Sequence, residues 1–311
     1  MEKRKLGSSD LEVSVLGLGC NNFGMKIDLG ATREVVDAAI EAGINFFDTA
    51  DMYGETRSES FLGEVLEGRR ESVLLATKFG AMTMVAGGEG WGKRDAVLAC
   101  AEASLERLRT DYIDLYQIHY PDPNTPIEET LGALGELLDA GKVRAIGCSN
   151  FTRAQLEEAC GLADRPAFVS LQNEWSLLQR EVETELAPLC EQRGIGFLPY
   201  FPLASGVLTG KYRRGEAFGE GTRLATLDFF GHFGSEENLA IVERLDAYAQ
   251  SQGRSILELA LGWLASQPSV ASVIAGATRP EQISANAGAM GWRLSAAERD
   301  EVDAIVAPPT A

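Results

Sequence analysis

The sequence predicts an α/β fold: a (β/α)8 TIM barrel with an N-terminal β-hairpin, expected as one domain over residues 1–311. Three observations predict it. Short apolar, β-rich runs alternate with segments of helical apolar spacing along the chain. No low-complexity tract or Pro/Ser linker divides the 311 residues, a length that an α/β barrel uses as a single core. A small pair of β-type runs precedes the first repeat.

That pair, Lys3–Leu6 and Leu11–Val13, flanks GSSD (7–10) and reads as a hairpin that could plug the bottom of a barrel. Strands are then expected near 15–17, 45–47, 72–77, 112–118, 143–148, 168–172, 195–200 and 270–275. Helical spacing covers 32–42, 57–68, 93–108, 127–140, 152–163, 181–193, 236–266 (long enough for two helices) and 280–290. Eight strands alternating with helices argue for a parallel sheet, with a doubly wound open sheet as the competing arrangement. Two gaps break the rhythm, FGAMTMVAGGEGWG (79–92) and 212–235. Loops this long in a compact fold are usually functional or mobile. Both follow a strand or its adjoining turn, so both are expected over the same end of the barrel.

Composition excludes several classes. With 45% hydrophobic and 24% charged residues, neither disorder nor a fibre is expected. A net charge of −18 repels a phosphate backbone or an anionic membrane, although a local basic pocket for a small phosphorylated ligand stays open. Five cysteines without a CxxC pair support neither a disulfide framework nor a zinc ribbon, and a reducing cytoplasm fits better. The charged start MEKRKLGSSD lacks the apolar stretch of a signal peptide, and runs such as Ile195–Leu203 are too short to span a bilayer. Only His119 and His232 occur, without HxH or HExxH, which disfavours a metal hydrolase. A monomer or small homo-oligomer is expected.

Four polar residues fall at the ends of three consecutive strands, where barrel active sites form: Asp48 after INFF, Tyr53 in the same loop, Lys78 after LLAT and His119 after IDLYQI. Taken singly, they could be a turn cap, a packing aromatic, a rim lysine and a structural histidine. Together they make one machine. A phenol, with an ordinary pKa near 10, is a weak acid unaided. A neighbouring ammonium lowers that pKa, a carboxylate keeps the ammonium in place, and an imidazole can orient a carbonyl oxygen or help pass the proton. Such a set suits proton delivery as hydride reaches carbon. The rival is a two-carboxylate isomerase or glycosidase built on Asp48 and Asp51. It leaves Lys78 unexplained and puts both acids on one side of a substrate. No GxGxxG follows a strand, since GLGCNN (17–22) stops short of it. The stretch GVLTGK (206–211) is one residue short of a P-loop and is followed by Tyr212.

The segments FDTADMYG (47–54), ATKFG (76–80), DYIDLYQIH (111–119), GKVRAIGCSN (141–150), LQNEWS (171–176) and VIAGATRPEQ (273–282) resemble, in order, the aldo-keto reductase family. The resemblance implies a (β/α)8 barrel and NAD(P)H-dependent reduction of a small carbonyl substrate, with the tetrad on Asp48, Tyr53, Lys78 and His119. It also implies that Ser149, Asn150 and Gln172, with Asp48 nearby, hold the nicotinamide carboxamide and that Tyr200 stacks on the ring. Phe201, Pro202, Leu203, Ala204, Ser205 and Gly206 would wrap the pyrophosphate, while Gly276, Thr278, Arg279, Gln282 and Asn286 grip the adenosine portion. Ser149 and Asn150 are also good N-cap types for the helix that follows. Ala285 stands where many relatives have Glu, which removes one adenine contact. NADPH is expected over NADH, because Arg279, Lys211 and Arg223 can meet the extra phosphate. Asn22, Phe23, Met52, Phe79, Trp91 and Tyr120 are candidates for the substrate pocket. Some relatives are channel β-subunits with weak turnover, and these tend to carry Asn in place of His119. A cofactor-binding regulatory subunit is therefore the alternative function.

Overall fold

The computed structural model describes residues 1–307 except 86, 163–165, 218, 220–223 and 225–227. Strands β1 (Lys3–Lys5) and β2 (Glu12–Ser14) pair antiparallel. Eight parallel strands follow: β3 (Leu16–Gly19), β4 (Phe46–Asp48), β5 (Leu74–Phe79), β6 (Ile113–Ile118), β7 (Val143–Ser149), β8 (Ser170–Gln172), β9 (Gly196–Phe197) and β10 (Val273–Gly276). Their spatial order is consecutive, with β10 beside β3 and no reversal. Phe197 N donates to Ser269 O at 2.7 Å, and Ala271 N and Ile274 N donate to Phe197 O and Pro199 O at 3.0 Å. These bonds join the last strands and close the ring, so the doubly wound open sheet is excluded.

The helices follow the alternation: α1 (Leu29–Glu41), α2 (Arg57–Val65), a short α3 (Ala81–Val85) inside the first gap, α4 (Arg94–Leu108), α5 (Ile127–Asp139), α6 (Arg153–Cys160) and α7 (Leu186–Arg193). Then come α8 (Glu236–Ser251), α9 (Ile256–Ala265), α10 (Pro280–Ala289) and α11 (Ala296–Val306). The run 181–193 becomes a 3-10 turn, Glu181–Glu183, followed by α7, because Pro188 is tolerated only in a helix's first turn. The run 236–266 breaks at Gly253 (φ 70°), and Ser255 with Glu258 forms the capping box that starts α9. α11, absent from the sequence expectation, starts on the same device, Ser295 with Glu298.

Two apolar layers hold the fold. The larger lies between strands and helices. The smaller fills the barrel's lower interior, where Phe46, Ala76, Leu115, Ala145, Leu198 and Ile274 meet Leu6, Leu11 and Val13 of the hairpin. The hairpin is the barrel's plug. Its turn presses so closely on the barrel floor that a side chain at Gly7 (φ 56°) would strike the backbone of Val169 and Gly194. Arg4 fastens it laterally, donating to Ala265 O and Val270 O at 2.8 Å. Among the described residues no helix is long and apolar enough to cross a membrane.

Leu6 is fully buried in that lower layer. Leu6→Ala is expected to lower stability to chemical denaturation by about 2–5 kcal/mol, the cost of an uncollapsed core cavity. A cost below about 0.5 kcal/mol, the level of a surface change, would contradict the plug.

Candidate active site

Side chains alternate across a strand, so two steps up from the lower layer the same face of each strand points into the upper barrel. Those positions are Asp48 above Phe46, Lys78 above Ala76, and Gln117 and then His119 above Leu115. The apolar floor is thus followed directly by a polar layer, at the strands' C-terminal ends.

Lys78 is 0% exposed. Its Nζ donates to Asp48 Oδ2 at 2.7 Å, to Thr49 O at 2.9 Å and to Tyr53 OH at 3.4 Å. It lies between the carboxylate and the phenol. Asp48 Oδ1 accepts from Gln117 Nε2 at 3.1 Å and from Gln172 Nε2 at 2.9 Å. The imidazole of His119 meets the Tyr53 ring edge-on at 5.8 Å and stacks on Tyr120 at 5.0 Å. The structure therefore brings Asp48, Tyr53, Lys78 and His119 together. It also adds Gln117, which sequence reasoning overlooked although it stands two residues before His119 on the same face. Asp51 points elsewhere, into a cluster with Glu59, Arg107 and Cys100, so Asp48 and Asp51 do not form a pair of facing acids.

Burial dominates the protonation behaviour. It raises the Tyr53 phenol above its ordinary value; Lys78 pulls the other way but does not win. The expectation of a lowered phenol pKa is thus reversed in the resting site, and the phenol keeps its proton. Burial also favours a neutral Lys78, but Asp48 and then Tyr53 outweigh it and hold the ammonium above its usual value. His119 is driven well below 6.5 by burial first and Lys78 second, so its imidazole is neutral. Its Nδ1 is buried without a partner among the described residues.

A cavity of about 890 Å³ opens over this layer and extends to α10. Asp48, Tyr53, His119, Ser149, Asn150, Gln172 and Tyr200 line it, and so do Phe201, Pro202, Leu203, Ser205, Gly206, Lys211, Gly276, Thr278, Arg279, Gln282 and Asn286. Ala204 is fully buried and does not line it. Arg223 lies outside the described residues. Ser149 and Asn150 do not cap α6, whose cap is Thr152 with Gln155. Instead Ser149 Oγ donates to Gln172 O at 2.7 Å, Asn150 Nδ2 to His119 O at 2.9 Å, and Tyr200 OH to Asn150 Oδ1 at 2.9 Å. Of the substrate-pocket candidates, Asn22, Met52 and Tyr120 line the cavity. Phe23 and Phe79 are core residues at 0% exposure, and the buried Trp91 donates its Nε1 to Tyr120 O at 3.0 Å. Those three aromatics support the wall from behind. Asn21, Lys26 and Glu174 line the cavity without having been foreseen, because nothing in their local sequence separates them from ordinary loop residues.

An elongated anionic cofactor fits these walls. Phe201 (φ 51°), Ala204 (φ 45°), Ser205 (φ 56°) and Gly206 (φ 96°) hold a left-handed backbone rarely kept without functional need. A Cβ at Gly206 would come within 2.8 Å of Lys211 Nζ, so the glycine leaves the ammonium its place. The hydroxyl of Ser205 is buried and unpartnered among the described residues. Arg279, the N-cap of α10, makes no side-chain cap; Pro280 has no amide proton and Gln282 N donates to Arg279 O at 3.2 Å, which leaves the Glu281 amide for a ligand. Ala285 faces the same cavity, where a larger residue would narrow it. Among the described residues, no group of three or more His, Cys, Asp or Glu could hold a metal ion.

The sequence profile of the Aldo/keto reductase family matches residues 15–307. The chain is 35% identical to the aldo-keto reductase YhdN of Bacillus subtilis (strain 168), over 98% of this chain and 94% of that protein. It is 36% identical to a probable voltage-gated potassium channel subunit beta of Arabidopsis thaliana, over 92% and 90% of the two chains. Among solved structures, the holo form of aldo-keto reductase AKR11C1 from Bacillus halodurans matches with TM-score 0.80 and 33% identity, covering 98% of this chain and 96% of that one. The glycerol dehydrogenase AKR11B4 from Gluconobacter oxydans matches with TM-score 0.84 and 28% identity, covering 99% and 98%.

The neutral His119 has a measurable consequence. A base whose pKa is lower folded than unfolded takes up its proton in the unfolded chain first. Stability attributable to His119 is therefore present above about pH 6.5 and drains below it, by about 1.4 kcal/mol per pH unit. The imidazole NMR signal of His119 is expected to titrate well below the ordinary histidine value, and His119→Gln to remove this share of the acid instability. A normal titration centred near the ordinary histidine value would contradict the burial argument.

Proposed function

The chain belongs to the aldo/keto reductase family of oxidoreductases, and from that premise we propose that it reduces an aldehyde or ketone to an alcohol with NADPH, Tyr53 acting as general acid. The observation that carries the reading is the buried Lys78–Asp48 pair, whose ammonium also reaches the Tyr53 hydroxyl at the cavity wall. NADPH, when bound, supplies the hydride. The protein supplies the proton and the orientation. Tyr53 starts neutral and donates its proton to the carbonyl oxygen as negative charge develops there. Lys78, held charged by Asp48, stabilises the phenolate left behind. The neutral imidazole of His119 orients the carbonyl by a hydrogen bond, which an unpaired charge at that depth would not allow without extra cost.

Ser149, Asn150 and Gln172 are proposed to hold the carboxamide, braced by their bonds to one another and to Tyr200 and Asp48. Ser205, Gly206 and Lys211 are proposed for the pyrophosphate, and Thr278, Gln282 and Asn286 for the adenosine end. A cytoplasmic setting fits this chemistry. A regulatory subunit with weak turnover is the second reading, favoured by the likeness to the Arabidopsis protein. The complete set of four residues argues for an enzyme. Oxidation of NADPH with a panel of aldehydes, quinones, ketosteroids and sugars tests the two.

Tyr53→Phe removes the dissociable proton and almost no volume. Turnover is expected to fall by about a hundred- to ten-thousandfold, the usual span of general acid catalysis, with NADPH affinity unchanged. Turnover close to that of the unaltered protein would remove Tyr53 as donor.

The preference for NADPH rests on Arg279. Its side chain is 67% exposed beside the cavity and pairs only loosely with Glu281, at 3.8 Å. In a protein of net charge −18 it is a local cation able to grip the ribose phosphate with two parallel bonds. Arg279→Ala is expected to weaken NADPH binding by about 1.5–3 kcal/mol, the worth of a charged hydrogen bond, and to leave NADH nearly unaffected. Fluorescence titration with both cofactors at one salt concentration measures this, and equal affinities in the unaltered protein would overturn the preference.

A further inference from the structure

Asp51 takes no part in the steps above, yet it is a buried carboxylate two residues from Tyr53. Its backbone N donates to Lys78 O at 3.0 Å, and its Oδ2 accepts from Gly80 N at 3.2 Å. The loop that carries the phenol is thereby tied to the end of β5 on both sides of Phe79. Beyond Tyr53 the chain turns at Gly54 (φ 59°) and is strained at Glu55 and Thr56, with φ of 57° and 74°. Gly54 is wedged so tightly that a Cβ there would lie 2.5 Å from Phe23 O. Gly80 in turn abuts the ring of Trp91, at 2.6 Å from an added Cβ, and Trp91 bonds Tyr120 next to His119.

We propose that Asp51 is a positioning residue for the reaction: its ionised carboxylate clamps the Tyr53 loop to the Gly80 amide and so sets the separation between the phenol and Lys78. The proposal rests on the reading of Tyr53 as proton donor. A structural tie alone would not need the charge, since Asn has the same shape and also offers an oxygen. The chain keeps a carboxylate whose Oδ1 is buried without a partner among the described residues.

The groups facing it are Glu59 of α2, Arg107 and Cys100 of α4, and Tyr116 of β6, besides the Gly80 and Met52 amides. Glu59 is fully buried and already engaged by Thr77 Oγ1 and Arg107 Nε, both at 2.6 Å. Arg107 is thus taken by Glu59 and acts on Asp51 only through space, more weakly than burial and Glu59 do. Burial first, and Glu59 next, push Asp51 up to about 6. Below that pH the carboxyl is neutral, accepts more weakly from Gly80, and releases the loop.

The test is kcat for benzaldehyde with NADPH as a function of pH, together with NADPH affinity by fluorescence, for the unaltered protein, Asp51→Asn, Glu59→Gln and Tyr53→Phe. The unaltered protein should lose kcat on the acid side with a midpoint near 6. Asp51→Asn should lack that midpoint and show kcat lower by about ten- to a hundredfold at neutral pH, the cost of misplacing a reacting group by roughly 1 Å, with cofactor affinity kept. Glu59→Gln should move the midpoint to lower pH, a readout that stands even if Asp51→Asn fails to fold. A normal rate and an unchanged acid limb in Asp51→Asn, or a limb that Glu59→Gln does not move, would overturn the role of Asp51 while Tyr53→Phe still abolishes turnover. Undiminished turnover in Tyr53→Phe would overturn the underlying reading instead.

Discussion

Burying an ammonium and a carboxylate costs several kcal/mol for each ion, and their attraction offsets this only when every remaining valence is met. Lys78 and Asp48 impose that condition on the upper barrel. The three ammonium protons have Asp48, Thr49 O and Tyr53 as acceptors. The second carboxylate oxygen takes the amides of Gln117 and Gln172. Strands β4, β5, β6 and β8 are therefore bound to one another by side chains as well as by their ladders. Of Lys78's three acceptors, only the phenol has a proton to give. In the proposed reaction the positive charge is already in position when Tyr53 becomes anionic, so no dipoles need to turn at that moment.

The division of labour between strands and loops follows from the same condition. Strand ends hold groups to within tenths of an ångström, so the charged pair and His119 sit there. Loops supply shape and backbone donors, and their strain collects at the cavity: Asn150, Phe201 and Ser205 line it in left-handed conformations. Asn150 is held by defined contacts. Asn150 N donates to Gln172 O and Asn173 Oδ1, and its side chain is fixed by Tyr200 and His119. Such conformations persist only where neighbours over-determine them.

The same distinction explains what could be read from the sequence. All eight strands and the hairpin were legible because short apolar, β-rich runs report burial directly. Asp48, Lys78 and His119 were legible because each ends such a run. Gln117 carried the same signal and was passed over, since its task depends on Asp48 arriving from a strand that lies elsewhere in the chain. Trp91 and Phe79 looked like pocket aromatics. A sequence shows that an aromatic belongs to a loop or a strand end, but not which side of the wall it stands on. The break before β10's partners is similar: the strand expected over 195–200 is regular only at Gly196–Phe197, because Pro199 cannot donate to a ladder. α11 was announced by Ser295 and Glu298, the two partners of a capping box, a local signal that was passed over. The loss of a lowered phenol pKa was not legible at all, since desolvation is a property of the assembled barrel.

That desolvation begins at the opposite end of the barrel. The hairpin fills the floor with Leu6, Leu11 and Val13, and Phe46, Ala76 and Leu115 complete an apolar cluster beneath Asp48 and Lys78. Water is thereby kept from one side of the ion pair, and the effective dielectric around it falls. An ammonium acts on a phenol more strongly in such a medium than in water, in inverse proportion to the dielectric. The low dielectric also resists ionisation of Tyr53 while the site is at rest, which is why burial outweighs Lys78 there. The two effects favour opposite protonation states, and the balance between them shifts as negative charge develops on a carbonyl oxygen within reach of the phenol. A plug formed by three-residue strands far along the chain from Lys78 is in this way part of the electrostatics of the proposed proton transfer.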